Sequence, residues 1–370
     1  IKQKQPTSDV YARMLYETAW GCRALAETEV AAVRTRMQQE LLKKKQDEAL
    51  KRDAKAQVAG ISVSEIAVSA IPLQPAEQKA RARYQELIAS FPDLPLATHA
   101  RFELAELLAE RVEYDAAVKI LSEALDKEPP AELSERIRIR MGVCYAAKKD
   151  AKAALAQFEA VLQNPKSPLA AEARYRAGET LLELGNAADA IKQLVVFRDQ
   201  QPFQNLPGLS DRGLLRLGLA YASVKQWDQS RQAYETLIGR FGNSTWLPEA
   251  RYGIGWAWQN QKNYDNAVTT YSQVTAAVAT ETAAKAQLQI GLCRMEQKRH
   301  PEAATALLVV PFTYDYPEWS AVALCEAARA FTELKQKDQA EKLLRRVIRD
   351  HPESKWADVA KERLESLKGG

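Results

Sequence analysis

The chain has 370 residues, with 52 Lys plus Arg against 48 Asp plus Glu, and a formal net charge of +4. Its 46% apolar and 27% charged residues, with only 15 Gly and 16 Pro, exclude a disordered, collagen-like or low-complexity chain, because each of those has too few apolar residues or a strong Gly and Pro bias. A total so near neutrality, at a pI near 8.7, gives no electrostatic ground for a nucleic-acid partner.

No stretch reaches the roughly 18 to 20 apolar residues that span a bilayer; the run Leu307 to Pro311 is among the longest. The chain opens at Ile1 without an apolar leader, which reads as a processed protein or a piece of a longer one. Cys22, Cys144, Cys293 and Cys325 lie far apart, with no C-x-x-C, so buried free thiols are expected in preference to disulfides or metal ligands.

In chain order, Asp9 to Ala26 predicts a helix, with Ser8 or Asp9 as N-cap and Ala19, Gly21 and Ala24 as a small-residue face. Thr28 to Gln57 is highly charged and free of Gly and Pro, with Val30, Val33, Met37, Leu41 and Leu42 at helical spacing. It predicts a long projecting helix, either a solvated extension or a docking arm. After Gly60 the period changes: Ile61, Val63, Val68 and Ile71 alternate with Ser and Glu up to Pro72 and Pro75. That stretch predicts extended chain.

From residue 76 onward a period governs the sequence. A small residue followed four positions later by an aromatic or Leu recurs as Ala80/Tyr84, Ala117/Leu121, Ala154/Phe158, Ala190/Leu194, Ser230/Tyr234, Ala267/Tyr271, Ala303/Leu307 and Ala340/Leu344. The spacings are 37, 37, 36, 40, 37, 36 and 37. Twelve residues before each anchor after the first stands another small residue: Ala105, Gly142, Gly178, Gly218, Gly255, Gly291 or Ala328. A Pro or Gly closes most units, as at Pro92, Pro129, Pro165, Pro202, Gly242 and Pro352.

Apolar residues between these marks keep helical spacing, so each unit predicts a helical hairpin. Gly inside a helix costs up to about 1 kcal/mol relative to Ala; its recurrence at one phase points to close helix crossing, with the aromatic filling the gap. The helix at Asp9 to Ala26 supplies the missing first half of unit one. After Pro352, Trp356, Val359, Ala360, Leu364 and Leu367 predict a last amphipathic helix that solvates the end of the array.

These marks resemble the tetratricopeptide repeat, whose L-G-x2-Y, A-x3-F pattern is matched by Leu217-Gly218-x2-Tyr221 with Ser230-x3-Tyr234, and by Met141-Gly142-x2-Tyr145 with Ala154-x3-Phe158. The likeness covers about residues 76 to 368, although the period is near 37 where the family has 34. It implies an all-α, right-handed superhelical solenoid of about eight hairpins with a C-terminal capping helix. The organisation expected is residues 1–27 as first repeat helix, 28–75 as inserted helix and linker, 76–352 as solenoid and 353–370 as cap and tail. Linkers such as Phe91-Pro92-Asp93-Leu94-Pro95 and His351-Pro352-Glu353-Ser354-Lys355 look like those of bacterial cell-envelope members, among them the Tol-Pal cell-division coordinator and the lipoprotein of the outer-membrane assembly machine. That likeness leads to an expected envelope or periplasmic location, with cytoplasm as the alternative.

No catalytic constellation emerges from the residue pattern. His99, His300 and His351 fall in separate units, which gives no metal triad. Gly253-Ile254-Gly255 lacks a preceding strand and reads as packing, not a phosphate loop. Asn243-Ser244-Thr245 reads as a turn. The expectation is a protein without enzymatic activity or cofactor.

In the family, the inner helix of each hairpin lines a groove, with positions three before and one, four and five after the packing residue facing it. Transferred to this sequence, the rule selects Tyr175, Leu215, Leu219, Tyr252, Trp256, Gln259, Asn260, Leu292, Met295 and Arg329. The apolar character around Trp256 fits a protein or peptide partner. Tighter packing of the array, or the 58–75 segment lying in the groove, would also account for it. A row of Lys and Arg suited to a chaperone's acidic tail is absent. The resulting expectation is a noncatalytic interaction scaffold. The alternatives are a subunit of a multiprotein or homo-oligomeric envelope assembly, or an accessory domain of a longer protein.

Overall fold

The computed structural model describes residues 8–52, 63, 65–277 and 280–369. Among the described residues all regular structure is helical, and the chain divides into two compact units, Ile1–Thr180 and Leu181–Gly370.

The first unit holds α1 (Ser8–Arg52), α2 (Pro75–Ser90), α3 (Pro95–Glu110), α4 (Tyr114–Leu125), α5 (Ala131–Ala147), α6 (Ala151–Leu162) and most of α7 (Ala170–Glu183). The second holds α8 (Ala187–Leu194), α9 (Val196–Asp199), α10 (Ser210–Ser223), α11 (Trp227–Arg240), α12 (Leu247–Asn260) and α13 (Tyr264–Ala277). It continues with α14 (Glu281–Glu296), α15 (His300–Thr313), α16 (Pro317–Glu333), α17 (Lys337–Asp350) and α18 (Lys355–Gly369). Within each unit the helices pack as successive antiparallel hairpins. In the second, α10, α12, α14 and α16 are inner helices; α12, for example, touches its own outer partner α13, the preceding outer helix α11, and the neighbouring inner helices α10 and α14.

The periodic anchors occupy equivalent, sealed places. Ala80, Ala117, Ala154, Ala190, Ser230, Ala267, Ala303 and Ala340 are all 0% exposed. Their large partners Tyr84, Leu121, Phe158, Leu194, Tyr234, Tyr271, Leu307 and Leu344 are buried as well. At Gly142, Gly218, Gly255 and Gly291 the absence of a side chain is sterically required. A Cβ on Gly142 would fall within 3 Å of the Phe158 ring, one on Gly255 would stand 2.7 Å from the Tyr271 ring, and one on Gly291 would strike Leu307. Tyr234 is clamped from two sides, by Gly218 of its own hairpin and Gly253 of the next.

From α3 onward, each inner-to-outer turn carries one residue in the left-handed region: Val112, Lys149, Gly185, Lys225, Lys262, Lys298 and Lys335. After α12, Lys262 N–H donates to Gln259 O and Asn263 N–H to Trp258 O, both at 2.9 Å. This pair of bonds satisfies carbonyls that the helix end would otherwise leave open. The 40-residue interval between Ala190 and Ser230 is taken up by α9 and a 3-10 turn at Gln201–Phe203. There Phe197 is fully buried, close on Gly213 and edge-on to Phe203 at 6.2 Å.

The N-terminal region departs from expectation in three respects. The helices expected at 9–26 and 28–57 are one helix, α1, which passes residue 27 without a break because nothing between Ser8 and Arg52 but Gly21 disfavours helix; residues 53–57 lie outside the described set. Of the small face, Ala19 is buried whereas Gly21 and Ala24 are exposed. The stretch before α2 contains a 3-10 turn at Val68–Ala70 and is pinned down by side chains; Ile61 falls outside the described residues. Arg111 Nη1 donates to Val68 O at 2.7 Å and also to Ile71 O, while Arg111 and Arg81 both pair with Glu77, which is 4% exposed.

Two outcomes follow for stability. Gly218→Ala and Gly253→Ala each lower it by about 1–3 kcal/mol, because overpacking against a ring outweighs the better helix propensity of Ala. Gly239→Ala, in α11 where an added Cβ meets nothing within 4 Å, raises it by about 0.5–1 kcal/mol. Urea midpoints measured by circular dichroism separate the two cases. Arg111→Ala removes one of two cations from buried Glu77 and costs about 2 kcal/mol in the same measurement.

Candidate functional site

The inner helices of the second unit carry an apolar cleft between α10 and α12, of about 420 Å3. Leu215 and Leu219 form one wall and Trp246, Tyr252 and Trp256 the other. Tyr234 and Gly253 lie between them, and Arg216, Glu249, Ala222 and Ser223 complete the lining. The close approach of Gly218 and Gly253 to the Tyr234 ring sets this floor and keeps it in place. Two large apolar side chains stay open to solvent here, Leu219 at 44% and Trp256 at 38% exposed.

Several polar side chains nearby are engaged within the chain, on their own helix or on a neighbouring one. Ser223 Oγ donates to Leu219 O at 3.0 Å and Asn260 Nδ2 to Trp256 O at 2.8 Å. Tyr271 Oη donates to Gln259 Oε1 at 2.8 Å, and Gln259 Nε2 to Gln289 Oε1 at 2.9 Å. Glu249 accepts from Thr282 Oγ1 at 2.8 Å. Burial pushes the Tyr252 phenol above its ordinary value, partly offset by a hydrogen bond with Gln289. This region therefore offers mainly apolar contact, with Tyr252 held against Tyr271 at 5.4 Å between ring centroids.

The expected groove residues do not all meet there. Leu215, Leu219, Tyr252 and Trp256 converge on the cleft. Gln259 belongs to the bridge between Tyr271 and Gln289, while Asn260 is exposed one turn beyond Trp256. Leu292 is half-buried on α14. Arg329 lines a separate hollow with Ala328, Thr332, Leu344 and Arg363, ion-paired to Glu326 at 2.7 Å. Three of the expected residues are buried, Tyr175 at 1% exposed and Leu215 and Met295 at 8%; of these Leu215 lines the cleft, whereas Tyr175 and Met295 do not. Tyr175 lies in the first unit, beneath the Arg176 guanidinium at 5.5 Å.

Two features escaped the sequence reading. Trp246 joins the cleft from the N-cap of α12, nine residues before Gly255 and outside the offsets that the family rule supplies. The inner face of the first unit is charged instead of apolar. Arg23 pairs with Glu103 and, at 3.5 Å, with Glu110; Arg140 pairs with Glu106; Arg176 pairs with Glu172 at 2.7 Å. Burial of Arg23 opposes its charge, but Glu103, Glu110 and Glu106 outweigh that effect and raise its pKa. Arg136 lies over the Phe102 ring at 4.6 Å. Extending the offsets back to Ala105 reaches Glu106 and Glu110, so part of this ladder was available from the repeat phase.

Among the described residues no group of three or more His, Cys, Asp or Glu side chains is placed to hold a metal ion. No described helix is long and apolar enough to cross a membrane. Cys144, Cys293 and Cys325 are buried and Cys22 is half-buried, all as free thiols. Burial pushes Cys293 up to about 12 and Cys144 and Cys325 up to about 11. In the folded chain at about pH 8, a thiol-disulfide reagent therefore modifies Cys22 rapidly and the other three only after denaturant is added. Mass mapping of the labelled cysteines checks this.

Family models described as a tetratricopeptide repeat-like domain match residues 67–193, and others described as tetratricopeptide repeat match 215–282, 260–312 and 323–354. The crystal structure of a tetratricopeptide repeat protein from Parabacteroides merdae ATCC 43184 superposes with a TM-score of 0.51 at 15% identity, covering 73% of this chain and 98% of that one. The C-terminal part of a TPR repeat-containing protein from Cytophaga hutchinsonii superposes with a TM-score of 0.53 at 17% identity, covering 70% and 98%. At these identities the two likenesses bear on the fold alone. No curated protein matches the chain.

Proposed function

Given that the chain belongs to the tetratricopeptide-repeat superfamily, a fold that serves protein interaction, we propose that its second unit captures a partner protein or peptide in the cleft between α10 and α12. The observation that carries this reading is the exposure of Trp256 and Leu219 on a cleft already formed and floored by a clamped ring. A partner segment inserts one or two large apolar side chains between Leu215, Leu219, Trp246, Tyr252 and Trp256. A preformed cleft spares the partner's binding energy the cost of ordering the wall, and Trp and Tyr are the side chains that most often anchor interfaces. The role is noncatalytic. We further propose an envelope location, on the likeness of the inter-hairpin linkers to those of envelope members; cell fractionation tests it.

The binding test pans a random peptide library against the full chain and titrates the selected peptides by calorimetry. Trp256→Ala weakens them by about 2 kcal/mol or more, near 30-fold, with the helical signal unchanged. Leu219→Glu weakens them comparably by placing a charge in an apolar wall. Peptides that bind both variants as well as the parent chain would remove the cleft from the proposal.

A further inference from the structure

Helix α1 has two contrasting faces. Ala12, Leu15, Ala19, Ala26 and Val30 are buried on the side that packs against α2 and α3. On the opposite side Val10, Met14 and Leu25 are exposed by 52%, 54% and 54%, with exposed Thr18 and Gly21 between them. At about 100° per residue these five positions fall in one sector about 80° wide. A Cβ on Gly21 would meet nothing within 4 Å.

Elsewhere in the chain the same face is sealed. Aligned on Ala19, the fully buried small residue of α1 that shares a core cluster with Tyr84, Met14 stands five residues earlier. Five before Ala105, Gly142, Gly255, Gly291 and Ala328, in α3, α5, α12, α14 and α16, stand Ala100, Ile137, Ala250, Ala286 and Ala323. All five are 0% exposed, and each of their helices packs on the preceding outer helix. α1 thus carries, at the position of Met14, a surface of interior type that no described residue covers. Among the described outer helices, α2, α4, α11, α13 and α15 each already pack on two inner helices. A second copy can offer α1 itself.

We propose that this strip docks a second copy of the chain, α1 against α1, antiparallel about a two-fold axis between residues 17 and 18. The strip is self-complementary in that register. Val10 meets the other copy's Leu25, Met14 enters the open space at the other copy's Gly21, and Thr18 lies near the axis, where its short side chain permits close approach. On the flank, Arg13 comes level, to within about 3 Å along the axis, with the other copy's Trp20. Within one copy Arg13 is exposed and Trp20 is 57% exposed. A guanidinium over an indole face is a favourable pairing, and the two-fold axis makes it twice. Glu17 is the one charge this register sets against its own copy.

Sedimentation of the full chain between about 1 and 200 µM tests the proposal, with circular dichroism to verify each variant's fold. The expected result is a reversible dimer that Met14→Glu and Leu25→Glu each weaken at least about ten-fold. Glu17→Gln tightens it, and Arg13→Ala and Trp20→Ala weaken it without adding. Trp256→Ala leaves it unchanged, which separates this surface from the cleft proposed for partner capture. A monomer over the whole range, a dimer indifferent to Met14→Glu and Leu25→Glu, or one lost with Trp256→Ala overturns it.

Discussion

The contact between a residue with little or no side chain on an inner helix and a ring or Leu on an outer helix governs this structure. Where Gly218 and Gly253 both close on Tyr234, the ring fixes the separation of two inner helices and also forms the floor of the cleft between them. Packing at this density leaves a misplaced methylene nowhere to go, so one geometric requirement sets both hairpin spacing and cleft shape. Ser230 shows how tight the opposing position is: fully buried, it donates its hydroxyl to Gly218 O at 2.8 Å and so avoids an unpaired polar group.

The two units put the same backbone scheme to different chemical use. In the first, the inner face is a ladder of Arg and Glu that pair across α1, α3 and α5, so its charges are largely neutralised within the chain. In the second, the equivalent positions around α10 and α12 are Leu, Tyr and Trp, of which Leu219 and Trp256 stay open to solvent. Self-paired charges leave little for a ligand to gain, whereas uncovered aromatic surface gains from being covered. This contrast is why the proposed function rests on the second unit.

The turns reveal a cost that the family pattern conceals. Lys225, Lys262, Lys298 and Lys335 adopt φ near +60°, a region that costs an L-residue roughly 1–2 kcal/mol and that glycine enters freely. The paired backbone bonds at each helix end hold them there, and a cation at a helix C-terminus recovers part of that cost through the helix dipole. These strained positions keep the hairpin phase: their intervals repeat those of the buried anchors, residue for residue.

The sequence by itself determined the helical hairpins, their period and the phase of small and large residues, because those features depend on contacts at fixed offsets along a helix of known pitch. The groove rule carried over from the family resemblance marked Leu215, Leu219, Tyr252 and Trp256, which line one cleft. Tertiary structure decided the rest. Tyr175 and Met295 share those offsets yet lie buried away from that cleft, since what covers an inner position depends on the rotation and neighbours of each helix. Trp246 reaches the cleft from a helix start, and Arg111 ties α3 to carbonyls about 40 residues earlier; no local period encodes either. The open face of α1 follows the same rule, because the pattern of its residues states what they would pack against and only the arrangement of helices shows that nothing described does so.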